Sequence, residues 1–184
     1  MQVDLFASRY RLFFALRPPL MVARRIDHFA RSLALEGTHI LPYHQHVTIG
    51  ITADRSDYPG DWVEALRHSV RPVAVDPFDL RLDRVVSGRR SVALRPARAT
   101  EGLKRLHEDM AGVMRRAGIA MRSGWRFDPH QTLFYGEGAS GQRRIEGFGW
   151  RVEEVALICS HVGRTRHETL GIWPLEGSAQ YPLL

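Results

Sequence analysis

The stretches "HVTIG" at residues 46–50 and "HQTLF" at residues 130–134 each set a threonine two residues after a histidine. An imidazole titrates near neutral pH, so one copy can serve as a base while another serves as an acid. A threonine hydroxyl beside it can donate to an oxygen on which charge develops. In a β-strand, residues i and i+2 point to one face about 6.5–7 Å apart, which puts Thr48 beside His46 and Thr132 beside His130. Two imidazoles and two hydroxyls converging on one cleft suit a phosphodiester. One histidine takes the proton of an attacking hydroxyl or water, the other returns a proton to the departing oxygen, and the hydroxyls hold the non-bridging oxygens. No metal is required. His39, His44 and His46 lie close enough in sequence to consider a zinc site, but a metal would consume His46 and no third ligand is identifiable. Neither a metal nor any other cofactor is expected.

The elements that must position these residues also come in pairs. "YRLFFALRPP" (10–19) reads as a buried strand ended by a Pro pair. The next stretch repeats Val22, Ile26, Phe29 and Leu33 at helical spacing, with Gly37 past its end. Residues 90–100 give a second strand ending in "ALRP", the same four letters as residues 15–18. A helix follows with Leu103, Leu106, Met110, Val113 and Met114 on one face, Thr100 as N-cap, Glu101 in the first turn and Gly118 as the stop. Each helix leads to one His-x-Thr run. Beyond the motifs, Phe78, Leu80 and Leu82 alternate with polar residues as a half-exposed strand, and residues 150–160 are the candidate counterpart. Between them, Asp61 followed by Glu64 predicts the N-cap of a third helix. Strand, Pro, helix, His-strand and further strand, occurring twice, predict a duplicated α+β unit with halves of roughly 10–86 and 90–175 in a single domain covering 1–184. A pseudo-twofold axis between the halves would bring His46 and His130 together.

Composition limits the class. A chain of 184 residues with 44% hydrophobic content can bury a core. It has no run near the roughly 20 apolar residues of a membrane span, and "MQVDLFASRYRLFFALRPP" lacks the order of a secretory signal, so a cytoplasmic protein without a membrane partner is expected. The lone Cys159 excludes an internal disulfide and reads as a buried small hydrophobe. Lys104 is the single lysine among 26 basic residues, and the net charge is +6. The arginine fork suits phosphate, and the positive balance favours a polyanionic partner.

These residues resemble the two-histidine (2H) phosphoesterases, and within them the bacterial 2′-5′ RNA ligase-like RNA 2′,3′-cyclic phosphodiesterases. The resemblance covers most of the chain: "RLFFALRPP" resembles that branch's first strand, "RFDPHQTLFY" its second motif, and "VALICSHVGRTRHETLGIWPL" its C-terminal strand with the closing Trp-Pro-Leu. It implies a bilobal α+β fold of two antiparallel β-sheets around a central cleft, with helices outside. It also implies hydrolysis of a 2′,3′-cyclic phosphate at an RNA end to a 2′-phosphate. His46 would be the proton donor to the leaving 3′ oxygen, His130 the acceptor that activates water, and Thr48 and Thr132 the phosphate-holding residues. The stretch Ile49-Gly50-Ile51-Thr52 departs from the family's usual Leu-x-Phe-Leu-Gly.

Around this centre, Arg126 is a candidate for phosphate or backbone contact. Phe134 and Tyr135 are candidates for base stacking. Phe134 shares strand parity with His130 and Thr132, which favours it of the two. The four tryptophans, Trp62, Trp125, Trp150 and Trp173, read as packing residues. The expected partner is RNA or a nucleotide bearing a 2′,3′-cyclic phosphate, and a monomer is expected. Two rival readings keep the fold: a cyclic phosphodiesterase for a 2′-5′ oligonucleotide or an ADP-ribose cyclic phosphate, and an RNA-binding protein without catalysis. A binding-only cleft has no need of two titratable groups.

Overall fold

The computed structural model describes residues 9–33, 35–138, 140–164 and 166–177. The first eight residues of the N-terminal segment considered above therefore lie outside the described residues. Strand β1 (Arg9–Leu16) ends where Pro18 and Pro19 remove backbone donors, and helix α1 (Leu20–Ser32) starts directly after them. Strand β2 (Thr38–His39), a 3₁₀ turn (Pro42–His44) and β3 (Val47–Ile51) follow, then α2 (Gly60–Ser69), β4 (Phe78–Ser87) and β5 (Ser91–Arg95). The chain continues through α3 (Glu101–Arg116), β6 (Gln131–Tyr135), β7 (Gly141–Val152), β8 (Glu154–Val162) and β9 (Arg166–Pro174). None of the described helices is long and apolar enough to cross a membrane.

Two antiparallel sheets result, a first of order β3-β1-β8-β9 and a second of order β2-β6-β5-β4-β7. Each draws strands from both halves of the chain: β8 and β9 return to β1, and β4 joins β5, β6 and β7. The helices brace the sheets crosswise, α1 packing on β6 and β7 while α3 packs on β3. Helix α3 buries the five residues its spacing predicts. Thr100 Oγ1 accepts from Leu103 N–H at 3.3 Å, and Gly118 takes φ 71° just after the helix, where a side chain would be strained. Helix α2 corrects one expectation. Asp61 is not the N-cap but lies in the first turn, where Arg55 holds its carboxylate at 2.7 Å. The carboxylate pairs with a guanidinium, and Pro59 occupies the cap position.

One large apolar cluster joins residues of both sheets and all three helices, from Leu12, Phe14 and Ile49 through Leu82 and Leu94 to Leu106, Leu133 and Cys159. Burial raises the Cys159 thiol to about 11, with the nearby Glu168 charge adding to the effect, so it is inert as a nucleophile near neutral pH. Trp150 is buried in this cluster, and Trp62 and Trp173 pack against it. The opposite face of the first sheet carries a separate small cluster of Phe13, Ala15, Ala156 and Ile158, with Ile51 beside it. That second face is the one that carries the first motif.

Candidate active site

The two motifs are built by the same local device. Thr48 lies opposite Ala15 and Gly50 opposite Phe14, so β3 spends one extra residue, Ile49, between two adjacent positions of β1. Thr132 lies opposite Ala93 and Phe134 opposite Val92, so β6 spends Leu133 in the same way against β5. A β-bulge thus follows the threonine in each motif, and the residue after it crosses to the other face. The duplicated "ALRP" supplies the partner strand both times, Ala15 and Ala93 standing opposite the two threonines.

The histidines are anchored alike. His46 Nδ1 lies 2.7 Å from the carbonyl oxygen of His44, and His130 Nδ1 lies 2.7 Å from that of Asp128. A carbonyl only accepts, so Nδ1 is the protonated nitrogen in each neutral ring and Nε2 is left for chemistry. Burial is the chief cause that holds His46 down at about 4, and the positive charges of His130, His44 and Arg17 add to it.

The hinge between the motifs is a buried pair of amides. Gln45 and Gln131 are 2% and 0% exposed, and Gln131 Nε2 donates to Gln45 Oε1 at 3.0 Å. Each glutamine is the immediate neighbour of a motif histidine, Gln45 before His46 and Gln131 after His130. The bond therefore ties the two strand starts to each other across the sheets. A cavity of about 400 Å³ adjoins it, lined by Arg17, Tyr43, Gln45 and Trp150 among others.

Phe134 is a correction. Its ring is fully buried in the main cluster, packed 5.0 Å from the His39 ring, and cannot stack on a base. The parity argument fails because the bulge at Leu133 turns Phe134 to the face of Val92. Tyr135 is 57% exposed at the far end of β6, where it pairs with Thr38 and Ser91, roughly 10 Å along the strand from Thr132. Arg126 is exposed on the segment between α3 and β6. His39 sits on β2 against Phe134, and among the described residues no group of three His, Cys, Asp or Glu side chains is placed to hold a metal ion. The departure at Gly50 to Thr52 serves packing and backbone pairing: Gly50 faces Phe14 and Met114, and buried Thr52 Oγ1 accepts from Leu12 N–H at 3.1 Å.

His167 and Thr169 join the site unannounced, although their signal is present in the letters. "HETLG" at 167–171 repeats the pattern of "HVTIG", and a bulge again follows the threonine, with Thr169 opposite Ile158 and Gly171 opposite Leu157. The His167 ring lies 4.6 Å from that of His44, 5.5 Å from that of His46 and 5.5 Å from Phe13. Arg17 Nη1 donates to Thr169 Oγ1 at 3.0 Å. Burial, then the charges of His46 and His44, hold His167 at about 4 as well. Between pH 4 and the ordinary value of 6.5 the unfolded chain binds more protons at these two positions than the folded one, so this part of the stability is present above pH 6.5 and lost as pH falls toward 4. Thermal melts from pH 7 to 4 are expected to show a fall in midpoint that is smaller in the H46Q/H167Q double variant; equal falls would refute the assignment.

No family model matches the chain, and no curated protein matches it. Solved structures do. A crystal structure of a phosphoesterase is 25% identical with TM-score 0.75, covering 90% of this chain and 97% of its own. Escherichia coli LigT in complex with 3′-AMP is 24% identical with TM-score 0.72, covering 91% and 99%. TT0787 of Thermus thermophilus is 24% identical with TM-score 0.69, covering 91% and 98%. The chain shares the α+β arrangement of two antiparallel sheets with LigT, and its likeness to these structures supports the two-histidine phosphoesterase superfamily that the paired His-x-Thr strands resemble.

Proposed function

We propose that the protein is a phosphodiesterase that opens the 2′,3′-cyclic phosphate at an RNA end to a 2′-phosphate without a metal ion. The observation that carries this reading is the matched pair of histidines, each with Nδ1 fixed on a carbonyl, Nε2 left for substrate and a threonine beside it. His130 takes a proton from water as the water oxygen bonds to phosphorus. The bond from phosphorus to the 3′ oxygen breaks, and His46 gives its proton to that oxygen. Thr48 and Thr132 donate to the non-bridging oxygens as charge builds on them. His46 is neutral in the empty site at pH 7. An arriving phosphodiester anion supplies the opposite charge that favours its protonated form, so the acid is loaded together with its substrate. The phosphoesterase among its structural neighbours and LigT with bound 3′-AMP support a phosphate ester as substrate.

The test is direct. With an oligoribonucleotide ending in a 2′,3′-cyclic phosphate, phosphorus NMR is expected to show a 2′-phosphate as sole product, at the same rate with and without EDTA. A 3′-phosphate product, or a rate abolished by EDTA, overturns the proposal.

A further inference from the structure

The two walls of the cleft differ in kind. On the first sheet, the face around His46 offers Phe13, Ala15, Ala156 and Ile158 with the neighbouring His44 and His167 rings. On the second sheet, the register sets three arginines abreast. Arg84 of β4 lies opposite Arg95 of β5 on one side and opposite Arg144 of β7 on the other. Directly opposed residues share a face, and Arg95 is two residues from Ala93, the partner of Thr132. The neighbours Val85, Val92 and Leu94 are buried in the main cluster, so the arginines occupy the opposite, motif-bearing face.

Like charges directly opposite one another destabilise a sheet, and here they occur twice in succession. Arg95 has a counter-ion in Asp128 at 2.5 Å, on the same residue whose carbonyl anchors His130. Among the described residues neither Arg84 nor Arg144 pairs with a carboxylate. Arg84 Nε and Arg95 Nε are buried without a partner, donors left unsatisfied in the sheet face. With strands about 4.8 Å apart, the ladder runs roughly 10 Å from β5 to β7, starting beside His130 and leading away from it. A row of guanidinium forks at this spacing fits successive phosphates rather than one.

We infer that the Arg95–Arg84–Arg144 ladder is a track for the backbone of a single-stranded RNA whose terminal phosphate occupies the His46–His130 site, so that the substrate is a polynucleotide end and not a mononucleotide. The inference rests on the proposed phosphodiesterase reading for the chemistry at the end of the track. Arg95 also supports His130 through Asp128, so the informative positions are Arg84 and Arg144.

For the R84Q/R144Q double variant, kcat/KM on a short oligoribonucleotide with a 2′,3′-cyclic phosphate end is expected to fall about tenfold, mainly through KM, and R84K/R144K is expected to recover most of it. Loss of two phosphate contacts should also make the plot of log binding constant against log salt shallower by about 0.7 per arginine for a single strand. Binding is read by fluorescence anisotropy on the 2′-phosphate product oligomer, which needs no turnover. An unchanged salt slope and an unchanged KM on the oligomer overturn the track. Hydrolysis of a 2′,3′-cyclic mononucleotide by the wild type is the separate control: if wild type hydrolyses neither substrate while binding still depends on the ladder, the phosphodiesterase reading fails and the track stands. A wild type that prefers the mononucleotide also overturns the track.

Discussion

His46→Ala and His130→Ala are each expected to lower kcat/KM on a cyclic phosphodiester by a factor of roughly 10²–10⁴, the usual range for removal of a positioned acid or base. The size follows from how little freedom the rings have. Each Nδ1–H is fixed on a carbonyl two residues earlier, so Nε2 points from a set position before substrate arrives. The profile of kcat/KM against pH should be bell-shaped in the wild type, with each single variant losing one limb. The His130 variant separates chemistry from folding, because its site is the more open of the two and its loss leaves the buried core intact. The double variant is expected to be little slower than the slower single variant, as for residues that act as one unit. If either single variant keeps the wild-type rate while remaining folded by circular dichroism, two-histidine acid/base catalysis is rejected for this chain.

The parts of the fold that were legible in the letters are those where local physics and tertiary packing agree. Thr100, the five apolar positions of α3 and Gly118 each do in the structure what their chemistry dictates alone. The Pro pair after β1 separates strand from helix as its missing donors require. Strand β7 was not legible, because "GQRRIEGFGWRV" exposes most of its first half and its Gly147 sits at φ 90° where the pairing with β4 shifts. Its strand character comes from β4, not from its own composition. The failure at Phe134 has a similar origin: an alternation rule presumes an unbroken ladder, and a bulge depends on the partner strand. His167 belongs to the opposite case. Its motif was in plain view, but only the return of β8 to β1 tells that β9 shares a face with Phe13. The arginine ladder is invisible for the same reason, since Arg84, Arg95 and Arg144 become neighbours through register alone.

Gln45 and Gln131 test whether the two motifs must be held in a fixed relation. Gln131→Leu leaves the Gln45 amide buried without its partner, which is expected to cost about 1–3 kcal/mol of stability. Turnover should fall further than stability accounts for, by up to about 10²-fold, because a shift near 1 Å between reacting groups is enough for that loss. The Gln45→Leu/Gln131→Leu double variant removes both polar ends, so most of the stability should return. Its kcat should not return, since packed leucines have no directional bond to set the spacing of His46 and His130. KM should move less than kcat, because Thr48 and Thr132 keep their places opposite Ala15 and Ala93. Chemical denaturation and steady-state kinetics on the same samples separate the two effects. A double variant with wild-type kcat would show that the amide pair only fills space; a single variant whose activity tracks its folded fraction would show the same. The contrast matters because each glutamine is adjacent to a motif histidine and the pair is buried almost completely. A polar bond in that position is costly to bury, and what it adds over apolar packing is the direction it imposes on the site.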